Sequence, residues 1–270
     1  MTESIVKTRV GAMEYVAPAG PLHDDVAIAG LQAAVTSCVA AHRVQLVLDL
    51  AAVPLVNGRA LEVMLDSHTR LNALGGSLRM LNPNPLLRDV MRVTGIAGAI
   101  GEAEPVTPAA PARPGGARKL GDILLENGVI TAERLKEAAL LQQQLGRRLG
   151  HILVDKGFVA EADLLKALSL QLDVPYVTLR AGLYDPQALA LLDKEVARRL
   201  AVLPMFRVHD TLTLATCDPQ AVPALDEVAS RTGCRVRPVL ARREEIQKLL
   251  ADGYDAAFDA SDFEIRKSVV

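Results

Sequence analysis

The chain has 270 residues, half of them apolar, and is therefore long enough for two domains with hydrophobic cores. Its formal net charge of −2 lacks the basic excess that nucleic-acid-binding proteins need. Three cysteines without a CxxC pair indicate a reducing compartment rather than a disulfide framework. Because the sequence shows neither an apolar signal segment nor an apolar run that could span a membrane, we expect a cytoplasmic protein.

The first hundred residues predict alternating strands and helices. Residues 44–53 and 77–83 are short apolar runs of the kind found in buried strands. Helical spacing precedes the first run and also follows it, ending at Gly75. A third helix is predicted to begin after the capping residue Asn84 and to close at Gly95. Such alternation is typical of an α/β layer domain.

The stretches LVLDLAAVPLVNGRALEVML and GGSLRMLNPNPLLRDVMRVTGI resemble the STAS family, the sulfate-transporter and anti-sigma-factor-antagonist domains, over residues 1–103. In antagonists of this family the helix after the strand opens with Asp-Ser-Ser-Gly, and the first Ser is phosphorylated. Here the corresponding residues are Asn57, Gly58, Arg59 and Ala60, so the phosphoacceptor hydroxyl is absent. The resemblance implies that Asn57, Gly58 and Arg59 form a docking surface for an unidentified protein. The alternative is that Asn57 only caps the helix and Gly58 only relaxes the turn.

A linker is predicted next. The stretch EAEPVTPAAPARPGGAR, residues 102–118, is rich in Pro, Gly and Ala and has no apolar periodicity. Such composition gives a semi-rigid Pro-rich segment followed by a flexible glycine pair. We place the linker at residues 104–117.

Directly after the linker the chain repeats itself. KLGDILLENGVITAERLKEAALLQ, beginning at Lys119, aligns without a gap with RLGHILVDKGFVAEADLLKALSLQ, which begins 29 residues later at Arg148. Each 24-residue copy predicts a helical hairpin, in which Gly128 or Gly157 ends a short helix before a longer one. Thr131 is available to cap the longer helix of the first copy.

Packing alone accounts for part of this repeat. Any duplicated helical hairpin would repeat its core leucines and its capping glycines without binding a ligand. The leading base and the final Gln have no role in a core, however, because long polar side chains are rarely buried without a partner. The residues alone leave both a structural repeat and a ligand site open.

The pattern resembles the MshE-type N-terminal domain, found at the front of type II secretion and type IV pilus assembly ATPases. In that family two such motifs, separated by five residues, bind cyclic di-GMP. The resemblance implies that the first residue engages a phosphate or guanine, that the leucines at positions 2, 17 and 21 pack on guanine, and that the final Gln hydrogen-bonds. The implied ligand-binding residues are Lys119, Leu120, Gly121, Leu135, Ala139 and Gln142 in the first motif, and Arg148, Leu149, Gly150, Leu164, Leu168 and Gln171 in the second.

The first motif departs from the pattern twice. Lys119 stands where the pattern has Arg; it keeps the charge but lacks the planar fork that makes two parallel hydrogen bonds. Ala139 stands where the pattern has Leu, which removes apolar contact worth about 1 kcal/mol. Arg118, one place before the motif, is a candidate to compensate. We therefore expect a weakened first half-site and a complete second one.

After the motifs, residues 174–254 predict a small α/β subdomain, with strands in TLTLAT and RVRPVLA. The tandem motifs themselves occupy a helical subdomain at residues 118–173. The polar, acidic tail at residues 255–270 is expected to be disordered. The predicted fold class is thus multi-domain α/β: a STAS-like layer domain, a helical tandem-hairpin subdomain and a small α/β subdomain.

Sequence motifs for catalysis are absent. The sequence contains no GxxxxGK[ST], HExxH or GxSxG pattern, and its five histidines are far apart without metal-ligand spacing. Asp218-Pro219 is predicted to be a turn rather than an acid catalyst. We expect no cofactor and no metal.

These features together favour a non-enzymatic adaptor that binds cyclic di-GMP and docks a protein of the secretion or pilus machinery or a regulatory kinase-type protein. The main alternative is a purely structural adaptor of such a system that no longer binds nucleotide. An enzyme without a recognisable motif is the third.

Overall fold

The computed structural model describes residues 5–100 and 118–256. We refer to residues 5–100 as the first unit, to residues 118–173 as the tandem-motif unit and to residues 174–256 as the α/β subdomain. The linker predicted at residues 104–117 and residues 257–270 of the predicted tail lie outside the described residues, whereas residues 255 and 256 of that tail are helical and not disordered as predicted.

The first unit is a four-stranded sheet with helices. Its strands lie in the order β1-β2-β3-β4; β1 and β2 pair antiparallel, and the other neighbours pair parallel. The structure confirms the two strands predicted from apolar runs, β3 and β4. The first hairpin was not predicted, because β1 is an edge strand whose residues are mostly exposed and lack an apolar run. The elements are β1 (Ile5–Val10), β2 (Met13–Pro18), α1 (Asp25–Ala40), β3 (Gln45–Asp49), α2 (Gly58–Ala73), β4 (Ser77–Leu81), α3 (Pro85–Thr94) and α4 (Ile96–Ile100).

The helix caps of the first unit follow the sequence signals. The side-chain oxygen of Asn84 accepts a hydrogen bond from the Leu87 amide at 2.9 Å, and α3 ends at Gly95 with φ of 80°. Asn57 caps α2 in the same way, accepting from the Ala60 amide at 2.9 Å. The capping role proposed for Asn57 is therefore confirmed.

The tandem-motif unit interleaves its two copies. The short helix α5 packs against α8, and α6 packs against α7, so each copy contacts the other. Leu124 and its repeat partner Leu153 are both fully buried in the shared core. The two predicted hairpins are thus one four-helix unit, and neither copy buries its apolar face alone. Its helices are α5 (Leu120–Glu126), α6 (Ala132–Leu145), α7 (Leu149–Asp155) and α8 (Glu161–Leu172).

The α/β subdomain contains a three-stranded sheet in the order β5-β6-β7. The β5–β6 pair is an antiparallel hairpin, and β7 returns parallel to β6 after α11. The strands predicted in TLTLAT and RVRPVLA are confirmed as β6 and β7, whereas β5, α9 and α10 were not predicted. The elements are α9 (Pro186–Leu189), α10 (Lys194–Leu200), β5 (Val202–Val208), β6 (Thr211–Thr216), α11 (Val222–Thr232), β7 (Arg235–Leu240) and α12 (Arg243–Ala256).

Buried apolar side chains form two separate clusters. One contains residues of the first unit, such as Leu61, together with residues of the α/β subdomain, such as Phe206. The other contains only residues of the tandem-motif unit. Packing therefore joins the α/β subdomain to the first unit, although the predicted linker and the tandem-motif unit separate the two parts in sequence.

Candidate nucleotide-binding site

A basic residue stands at the start of each motif, at a position where helix chemistry disfavours it. Lys119 and Arg148 occupy the N-cap positions of α5 and α7, and neither makes a side-chain capping bond. Both side chains carry only donors, whereas an N-cap needs an acceptor, and their positive charge adds to the positive end of the helix dipole. Local stability therefore does not explain why a base is placed at both starts.

The glycine at position 3 of each motif allows a close helix contact. A Cβ on Gly121 would lie 3.0 Å from a Leu135 methyl, and one on Gly150 would lie 3.3 Å from a Leu164 methyl. The Leu120 methyl also lies 3.8 Å from the position that a Cβ would take on Gly150. The starts of the two motifs are therefore neighbours on one side of the four-helix unit.

The apolar residues of the motifs lie at the margin of the core. Leu120, Leu135 and Ala139 of the first motif are half-buried, and Leu149 and Leu168 of the second are half-buried as well. They leave apolar surface open, which a purine base would cover.

Leu164 differs, because it is only 6 % exposed. It packs inside the unit, and Gly121 is buried too. For these two residues and for Gly150, packing explains the residue type without a ligand.

The two terminal glutamines are available for hydrogen bonding. Gln142 lies near the end of α6 and Gln171 near the end of α8, and both are half-buried. Within residues 5–100 and 118–256, neither side-chain amide has a hydrogen-bond partner. Both amides are therefore available to form hydrogen bonds with a polar ligand.

Arg148 contacts a residue that the sequence interpretation placed only in a turn. Its guanidinium donates to the Asp218 carboxylate at 2.6 Å. The turn itself is confirmed, since the Gln220 amide donates to the other Asp218 oxygen at 3.0 Å. The contact joins residues 70 positions apart, so no local sequence pattern predicts it. One N–H of the guanidinium is used, so other donors of the five remain for an anion.

Arg118, one place before the first motif, makes a contact within its own copy of the repeat. It forms an ion pair with Glu126, and Arg147, its repeat equivalent, pairs with Asp155 at 2.6 Å. The two pairs occupy the same place in the two copies. Arg118 therefore has a structural counterpart in Arg147, and its compensation for Lys119 stays a prediction.

The three residues predicted to dock another protein do not share one exposed surface. Asn57 and Gly58 are buried, and the Gly58 amide donates to the carboxylate of Asp185 in the α/β subdomain at 2.8 Å. Arg59 alone is exposed, with an Asp25 oxygen 3.8 Å away. The chain itself thus covers the predicted docking surface at Asn57 and Gly58, whereas Arg59 stays exposed.

Burial raises the pKa of the Cys217 thiol, which lies next to Asp218, and the nearby Arg243 offsets part of this effect. The thiol is therefore protonated near neutral pH.

Across residues 5–100 and 118–256, no cluster of three or more His, Cys, Asp or Glu side chains could hold a metal ion. Within the same ranges, no helix is long and apolar enough to cross a membrane.

Two family models and two curated relatives match parts of this chain. The STAS domain model matches residues 15–108, and the MshEN domain model matches residues 172–259. The type IV pilus assembly ATPase PilB of Myxococcus xanthus is 32% identical over 136 residues, which cover 50% of this chain and 24% of the relative. PilB of Acinetobacter baylyi is 22% identical over 134 residues, which cover 48% and 23% respectively. The chain thus spans about a quarter of the length of these relatives.

Two solved structures are similar to parts of this chain. A structure of MshE with cdg is 33% identical, covers 51% of this chain and 99% of its own, and has a TM-score of 0.46. The unphosphorylated anti-sigma factor antagonist SpoIIAA is 18% identical over 33% of this chain and 81% of its own, with a TM-score of 0.30. The STAS match lies in the first part of the chain and the MshEN match begins at the last residue of α8, so neither match includes the tandem motifs; neither model describes a catalytic ATPase domain. The chain therefore carries a STAS domain followed by an MshEN domain.

Proposed function

We propose that this protein binds cyclic di-GMP through the tandem-motif unit, with one ligand spanning the starts of both motifs. The convergence of the two motif starts carries the proposal. Each start places a base where its own helix disfavours it, and Leu120 of the first motif lies against Gly150 of the second. An anionic ligand offsets the unfavourable charge at both helix ends at once.

The doubled site matches a doubled ligand. Cyclic di-GMP contains two guanines and two phosphates related by symmetry. The tandem-motif unit presents two related sets, each with a basic side chain, half-buried apolar residues and a Gln amide that has no hydrogen-bond partner among the described residues. The likeness of the tandem motifs to those of MshE-type domains supports this ligand class. In the second set, Arg148 engages a phosphate or guanine of the ligand, Leu149 and Leu168 pack on the guanine ring, and Gln171 hydrogen-bonds to the ligand.

The first set is weaker. The Lys119 ammonium is a point charge without the fork of arginine, and Ala139 leaves less apolar surface than Leu168 leaves in the other copy. The ligand is therefore held mainly by the second motif.

The combination of a STAS domain and an MshEN domain supports a signalling adaptor rather than an enzyme. In this role the bound nucleotide alters how the chain binds a protein partner of a secretion or pilus system. The competing function is a structural adaptor with the same fold that binds no nucleotide.

Calorimetric titration of the full chain with cyclic di-GMP separates the two functions. The variant Lys119→Arg/Ala139→Leu restores the first motif and should bind at least about fivefold tighter, from the apolar contact alone. Lys136→Arg, a matched change at an exposed position of α6, should bind as the wild type does. If neither the wild type nor the restored variant binds at high micromolar ligand, the structural adaptor replaces the nucleotide sensor.

A further inference from the structure

A buried carboxylate bridges the two parts of the chain that share a core. Asp185 is 5% exposed, and its two oxygens serve two helices. One oxygen accepts from the Gly58 amide at the start of α2 at 2.8 Å; the other accepts from the Gln187 amide at the start of α9 at 3.0 Å. Both helix N-termini favour a negative charge, and α2 has no acidic residue in its own first turn.

The same contact explains the glycine at position 58. A Cβ on Gly58 would lie 2.2 Å from the Arg207 carbonyl oxygen of β5, a distance that real Cβ atoms do not reach. Since the clash is with backbone, a side-chain rotation cannot relieve it. Any residue other than glycine would therefore force α2 and β5 apart.

Further polar contacts join the same two parts of the chain. The His209 amide donates to Glu62 at 2.6 Å, and its ring lies 3.0 Å from Asp66. On α3, Asp89 forms an ion pair with Arg180 at 2.6 Å. Both sets of contacts join the first unit to the α/β subdomain, next to their shared apolar core.

We propose that the STAS domain of this chain binds in cis, with the α/β subdomain as its partner and Asp185 as the group that its α2 N-terminus recognises. Two of the three residues that the sequence assigned to an external protein, Asn57 and Gly58, are thus covered by the chain itself. The close contact with β5 requires glycine at position 58. This requirement explains why the phosphoacceptor hydroxyl of other STAS domains is absent here. The proposal does not depend on nucleotide binding.

Hydrogen exchange of the full chain, followed by mass spectrometry, tests the interface. Gly58→Ser should speed exchange in peptides from the start of α2 and from β5, while β3 stays protected. Gly98→Ser is the matched control, because a Cβ there meets no atom within 4 Å. Equal exchange in the two variants would overturn the proposal.

Asp185→Asn provides a second test that leaves packing intact. An Asn side chain has one acceptor oxygen, so it cannot accept from both Gly58 and Gln187. We expect exchange at the start of α2 or of α9 to rise about tenfold or more, since a charge-assisted buried bond is lost. If Gly58→Ser unfolds the chain and Asp185→Asn leaves exchange at both helix starts unchanged, the cis interface is refuted.

Discussion

Replacing Arg148 by Ala tests the strong half of the proposed nucleotide site. Arg148 stands at the N-cap of α7, where its guanidinium cannot satisfy the helix amides. Its partner is Asp218, and the side chains of this pair are 51% and 30% exposed. Such an exposed pair contributes about 0–1 kcal/mol to stability. The substitution should therefore leave the fold intact and act on the ligand.

The expected loss of affinity follows from the bond that is removed. A hydrogen bond to a charged group is worth about 1.5–3 kcal/mol, which corresponds to a roughly tenfold to more than hundredfold weaker Kd. Lys119→Ala should cost less, because the ammonium makes no forked contact. Calorimetric titration with cyclic di-GMP measures both variants against the wild type.

Arg147→Ala is the matched control, since it removes the same charge one residue earlier. Arg147 is half-exposed and is engaged with Asp155 outside the implied ligand set. It should bind within about twofold of the wild type, allowing for a small long-range charge effect. If Arg148→Ala binds as tightly as Arg147→Ala, the role assigned to Arg148 is wrong.

Two further predictions concern the structure around the site. Leu153→Ala should destabilise the tandem-motif unit by about 2–5 kcal/mol because Leu153 is fully buried, whereas Leu170→Ala, at a residue 65% exposed, should change stability little; urea unfolding measures both. Equal effects would contradict the shared core. Because burial raises the pKa of Cys217, its neutral thiol stabilises the fold below the ordinary thiol pKa, and this contribution is lost as the pH rises through the folded value. Iodoacetamide at pH 8 should therefore label Cys217 more slowly in the folded chain than in urea; equal rates would refute the burial effect.

Local signals predicted local structure well. Asn57, Asn84 and Thr131 cap the helices that follow them, and Gly95 ends α3 in the left-handed region, as their residue types indicate. Each of these features depends on contacts within a few residues. Apolar residues also predicted three strands: β3 and β6 have no exposed residue, and β4 buries Leu78 and Met80 while Arg79 between them is exposed. The exposed β1 has no such pattern and was missed.

Contacts between distant residues could not be predicted from the chain. The Asp185–Gly58 bond spans 127 positions, and the Arg148–Asp218 bond spans 70. Asp218 precedes proline and was predicted to lie in a turn, which is correct but incomplete; Asp185 also precedes proline, but no role was predicted for it. Their second oxygen is what reaches the distant partner, and its direction depends on how the parts of the chain pack. The exposure predicted for Asn57 and Gly58 failed for this reason.

Equilibrium dialysis of the full chain against labelled cyclic di-GMP tests the central claim most directly. The two motif starts are neighbours, so one ligand should occupy both, and saturation should reach one cyclic di-GMP per chain. GMP, which carries half of the ligand, should bind far more weakly because it engages one motif at a time. Two cyclic di-GMP molecules per chain, or no retention at high micromolar ligand, would contradict the account.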